Sequence, residues 1–162
     1  MERSEPHFGA FEEDANPPSR AAVRLAAALA ERLAAVVPAP FRVGAEGGWV
    51  VLHRGDVWDG SSDVAGGLDQ EVDPTHPYHE PRDEDWSLAD RAAMVAEGVL
   101  SSVQDAVSEA TAEPWPALPG RRMAMPGTRT DGASVYLWYG PDEDAAVLAF
   151  APIRLAALLA PG

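Results

Sequence analysis

Two long amphipathic segments, each closed by prolines, constrain this chain more than any other feature. From Arg20 to Val37 the residues are strong helix formers. Ala22, Leu25, Leu29, Leu33 and Val36 recur at spacings of three and four, so they share one face. Ser19 stands where an N-cap is wanted, and Pro38 and Pro40 forbid continuation. The second segment runs from Leu88 to about Ala112. Its stripe is Leu88, Ala92, Val95, Val99, Val103, Val107 and Ala110. Ser87 and Asp90 sit at capping-box spacing, and Pro114, Pro116 and Pro119 follow. A helix with one apolar stripe needs a second layer to cover it, and here the second layer has to be a sheet.

The segments between and after the helices supply strands. Phe41 to Ala45 and Trp49 to Arg54 flank the turn Glu46-Gly47-Gly48, and Asp56-Val57-Trp58 could start a short third strand. Arg121 to Pro126, Ala133 to Tyr139 and Ala145 to Phe150 follow the second helix, with turns at Asp131-Gly132 and Gly140 to Asp144. Pro152 opens a closing helix over Ile153 to Leu159. The order α-β-β-(β)-α-β-β-β-α predicts an α+β fold. An antiparallel sheet of about five strands would carry both long helices on one face. Leu25, Leu29, Leu33, Val51, Val95, Val99, Val103, Leu137 and Leu148 are its expected core. Residues 46–56 and 131–142 also echo each other, each following a long helix, a proline cluster and a first strand.

Residues 1–18 read as a mobile acidic tail and 19–162 as one domain. Within that domain, 55–86 reads as a long acidic loop. From Asp56 to Asp85 there are ten acids and one arginine, a net of −9 out of the chain's −14. Such a length of irregular chain in a compact domain usually has a function or lacks order.

Composition excludes several chemistries. The chain has no cysteine, so thiolate metal sites, disulfides and a cysteine nucleophile are ruled out. That absence suits the cytoplasm, with its reducing poise. All 12 basic residues are arginine, which removes a lysine Schiff base or a phosphate-loop lysine. Against 26 acids, they leave a chain that phosphate backbones and anionic membrane surfaces repel. Residues 1–19 lack the basic start and apolar run of a secretory signal. The apolar stretch from Ala21 to Val37 is broken by Arg24, Glu31 and Arg32, so it is no membrane span. No serine lies in a nucleophile elbow, and no glycine run matches a nucleotide loop, so no cofactor is implied.

Two constellations remain. His76, His79 and Glu80, with Asp73 and Asp83 to Asp85 nearby, have metal-ligand chemistry and would make a small metal-dependent enzyme. However, Pro74, Pro77 and Pro81 prevent a helix from aligning the two imidazoles. The other constellation is aromatic. Trp58, Tyr78 and Trp86 lie in or beside the acidic stretch. Trp138 shares an outward strand face with Tyr136, while Val135, Leu137 and Tyr139 face the core. Charge steers a partner from a distance, and aromatics anchor it on contact. The expectation is a non-catalytic acidic module that binds a basic protein in the manner of a chaperone, immunity protein or inhibitor. Trp58, Asp59, Tyr78, Asp83, Glu84, Asp85, Trp86 and Trp138 would carry the contact. A structural subunit of an assembly is the other non-enzymatic alternative, and a homodimer would enlarge a small core.

Overall fold

A computed structural model describes residues 17–69 and 87–161. The fold is α+β with antiparallel pairing throughout. Helix α1 spans Arg20–Ala34. The side chain of Ser19 accepts from the Ala22 N–H at its start, as the sequence requires. Strands β1 (Phe41–Glu46), β2 (Trp49–Arg54) and β3 (Val57–Asp63) follow as a meander, and α2 is a single turn over Val64–Leu68. Helix α3 spans Leu88–Thr111, with the Ser87–Asp90 capping box closed in both directions. A two-residue ribbon, β4 (Ala117–Leu118) with β5 (Arg122–Met123), leads into the last sheet. There β7 (Ser134–Tyr139) pairs with β6 (Pro126–Thr130) on one side, and with β8 (Leu148–Ala149) and β9 (Ile153–Arg154) on the other. Helix α4, Leu155–Leu159, closes the described chain.

The strands do not form the single sheet expected from element order. They divide into sheets of three, two and four strands. Helix α1 packs on β1 and β2, whereas α3 reaches β3, β6 and β7 and so joins the two larger sheets. One hydrophobic cluster runs through all of them. Leu25, Leu29 and Leu33 meet Phe41, Val50 and Leu52, and continue through Val99 and Val103 to Val135, Leu137 and Tyr139. Two expected core positions differ. Leu148 packs at the margin of this cluster. Val51 is buried outside it, on the opposite face of the sheet, because Val50 and Leu52 are the β2 residues that face the helices.

The internal echo aligns structural equivalents. The aligned strands β2 and β7 are each the middle strand of a sheet, entered through a turn with a left-handed glycine, Gly47 or Gly132. Each half reads long helix, meander, short helix. Each short helix lies against the long helix of the other half, α2 against α3 and α4 against α1, and α2 touches α1 as well. Even the arginines correspond. Arg91 at the start of α3 donates to the Leu68 carbonyl at the end of α2. Arg24 of α1 donates to the carbonyls of Leu158 and Ala160 at the end of α4. These carbonyls are the unpaired acceptors that every helix C-terminus leaves, so cations there are favoured. Arg24→Ala is expected to speed amide exchange across Leu155–Leu159 while leaving the β1–β2 amides protected, as read by hydrogen-exchange mass spectrometry.

The boundaries of the acidic loop also change. The third strand that could start at Asp56-Val57-Trp58 forms and runs over Val57–Asp63, paired to β2, and Val64–Leu68 is a helical turn, so ordered structure continues well into the stretch read as irregular. Gly55 takes a positive φ of 61°, which permits the tight reversal between β2 and β3. The strand tolerates its polar sequence because an edge strand has one face and one side free of the core. Among the described residues, no helix is long and apolar enough to cross a membrane.

Candidate functional site

The meander has two faces. Because Val50 and Leu52 point at the helices, Trp49, Val51 and His53 lie on the other face. The register sets Glu46 beside Trp49 and Gly44 beside Val51 on one flank, and Ser61 beside Val51 and Trp58 beside His53 on the other. Trp49 is 44% exposed and Trp58 61% exposed, yet Val51 beneath them is only 5% exposed. Together with Glu46 and Ser61 they line a slot of about 280 Å³. Large aromatics are usually the residues a fold covers first, so two of them left exposed over an apolar floor set this face apart from the rest of the sheet.

One residue further along β3 the chemistry changes. The register slips between Leu52 and His53, leaving Asp59 as the extra residue of a bulge. Asp59 lines a second cavity, of about 300 Å³, between β3 and α3. Ser102, Asp105, Ala106 and Glu109 form its helical wall, one stripe at spacings of three and four. Val50 and Leu52 contribute its apolar part. One carboxylate oxygen of Asp59 is fully buried without a hydrogen-bond partner among the described residues. Beneath this wall, Tyr139 is wholly buried and donates to the Leu100 carbonyl at 2.6 Å. Burial pushes its phenol well above the ordinary range, and the charge of Asp105 pushes it further the same way.

The outer face of the last sheet is built differently. Trp138 lies across from Gly127, so closely that a Cβ at 127 would come within 2.6 Å of the indole. Arg129 stacks 4.0 Å from the Tyr136 ring centroid and makes a two-pronged bond to Glu143 at 2.8 and 3.0 Å. The phenol of Tyr136 donates to Asp131. These side chains cover one another, so the face presents Trp138 only in part. The side-chain bond from Arg129 holds the Glu143 carboxyl below its ordinary range. Backbone N–H bonds from Ala133 and Ser134 do the same for Asp131. Their contribution is therefore present above the ordinary carboxylate range and fades as pH falls through the lowered values. Arg129→Ala should raise the titration midpoint of Glu143 and leave that of Asp131 nearly in place, as followed by carboxyl-carbon NMR.

The structure thus separates the residues singled out in the sequence. Trp58 and Asp59 are neighbours on β3 but serve different cavities, and Trp138 belongs to the other sheet. Tyr78, Asp83, Glu84, Asp85 and Trp86 lie outside the described residues, as do His76, His79 and Glu80. Among the described residues, no group of three or more histidine or carboxylate side chains is placed to hold a metal ion. Sequence reasoning missed Trp49, Asp105 and Glu109. The first sits in an apolar run that hides its phase, and the acids read as ordinary solvated positions of a helix. Comparison with protein-family models, with curated proteins and with solved structures finds no match to the chain.

Proposed function

We propose that this protein is a non-catalytic acidic binding module for a basic protein, of the chaperone, immunity or inhibitor kind. One observation carries the reading. Trp49 and Trp58 stand exposed over the buried Val51 on a sheet face turned away from the helices, in a chain of net charge −14. Tryptophan is favoured at the centres of interfaces because one side chain fills a pocket and excludes much water. The net charge raises the encounter rate with a cationic partner and disfavours anionic ones such as nucleic acids or membrane surfaces. Tyr78, Asp83, Glu84, Asp85 and Trp86 belong to this reading on their sequence alone, and Trp138 is a secondary contact. A reducing cytoplasm suits a chain without cysteine.

The test is capture from the source organism with the full chain and with the Trp49→Ala/Trp58→Ala double variant, at low and high salt. A basic protein held by the first, released by salt and lost by the second supports the proposal. Identical captured sets from both chains overturn it.

A further inference from the structure

The slot on the outer face leaves the cavity on the other side of β3 unused. β3 is the last strand of its sheet, paired with β2 alone, and no described strand lies along its second edge. Its backbone donors and acceptors on that side are a ready template for another chain. Asp59, Gly60, Ser61 and Ser62 all line the cavity. Beyond the bulge, Gly60, Ser61 and Ser62 alternate between faces, so a cavity touching all three borders the strand's backbone and not one face alone. The bulge at Asp59 bends the strand there, and bulges commonly re-aim side chains beside binding sites.

The charges along this groove have one sign. Asp59 enters from the strand, Asp105 and Glu109 from the helix, and no arginine lines the cavity. Asp59 lines the cavity with its carboxylate only partly satisfied, since one of its oxygens has no hydrogen-bond partner among the described residues. We propose that the groove between β3 and α3 accepts an extended segment of the basic partner as an added strand on β3. Arginine or lysine side chains of that segment face the carboxylates of Asp59, Asp105 and Glu109 along the groove. Main-chain bonds supply affinity in such an arrangement, and the side-chain pocket supplies selectivity. This deepens the reading given under Proposed function and rests on the partner being basic. It assigns the partner two contacts, aromatic on one face of β3 and cationic on the other.

The probe is a peptide of alternating valine and arginine, acetylated and amidated, with an alternating valine–glutamate peptide and spermidine as comparisons. Hydrogen exchange of the full chain is read with and without each. The basic peptide is expected to slow exchange at the β3 amides about tenfold or more, as an added strand must. Asp59→Asn/Asp105→Asn is expected to weaken its binding about tenfold or more. Glu109→Gln gives the same sign of effect should the double variant not fold. The acidic peptide should leave exchange unchanged.

The proposal is overturned if the peptide fails to bind, or if it binds with β3 exchange and the carboxamide variants unaffected. It also fails if spermidine matches the peptide in affinity and in β3 protection, since the groove would then hold a free cation and no strand. In each case a captured partner that still depends on Trp49 and Trp58 leaves the broader reading standing.

Discussion

Leu29→Ala lowers unfolding stability by about 2–5 kcal/mol, the range for truncating a fully enclosed leucine. Leu29 sits on the buried stripe of α1 with 1% of its surface exposed, and the cluster around it draws on both long helices and both larger sheets. The lost methyl groups remove transfer energy. The surrounding backbone, fixed by helix and sheet hydrogen bonds, closes the cavity only in part. Val23 lies on the same helix but is exposed, so Val23→Ala should move stability by no more than about 0.5 kcal/mol. Urea unfolding followed by circular dichroism compares the two. Equal midpoints for Leu29→Ala and the unaltered chain would place the apolar stripe of α1 on the wrong face.

On the proposed reading, the Trp49→Ala/Trp58→Ala chain loses about thirtyfold or more in affinity for a basic partner while keeping its fold. Central tryptophans often cost about 2 kcal/mol or more each on truncation, and neighbouring ones are not additive, so one full hot spot is the conservative expectation. The fold is spared because both rings project away from the cluster that holds the helices to the sheet, and neither belongs to it. Loss of binding should appear chiefly as faster dissociation, since the charges that govern encounter are untouched. Neutralising Asp83, Glu84 and Asp85 together should do the converse, slowing association and flattening its salt dependence.

What the sequence made legible follows from how local each signal is. The N-cap at Ser19 and the capping box at Ser87 and Asp90 are contacts between residues three apart, so spacing alone reveals them. The alternation of Val135, Leu137 and Tyr139 against Tyr136 and Trp138 is equally local. Around Val51 that logic fails. The run Trp49-Val50-Val51-Leu52 is apolar on both faces, and only the helices packed against Val50 and Leu52 decide the phase. Beyond the strand start at Val57 and Trp58, residues 59–63 read as loop because Asp59, Gly60, Ser61 and Ser62 have poor strand propensity, yet pairing to β2 outweighs it. Pro126–Thr130 is hidden for a similar reason. Gly127 weakens a strand in isolation, and its place becomes intelligible only with the indole of Trp138 lying over it. The division into separate sheets and the convergence of Asp59 with α3 are long-range facts that no spacing along the chain encodes.

Stopped-flow association with the captured partner, run across ionic strength, tests the central claim most directly. The unaltered chain and the Trp49→Ala/Trp58→Ala chain should associate at similar rates, and both rates should fall steeply as the Debye length shrinks from about 30 Å toward about 8 Å. Dissociation of the double variant should be about thirtyfold faster or more. Association rates indifferent to salt, together with equal dissociation rates for the two chains, would contradict an acidic module anchored through this sheet face.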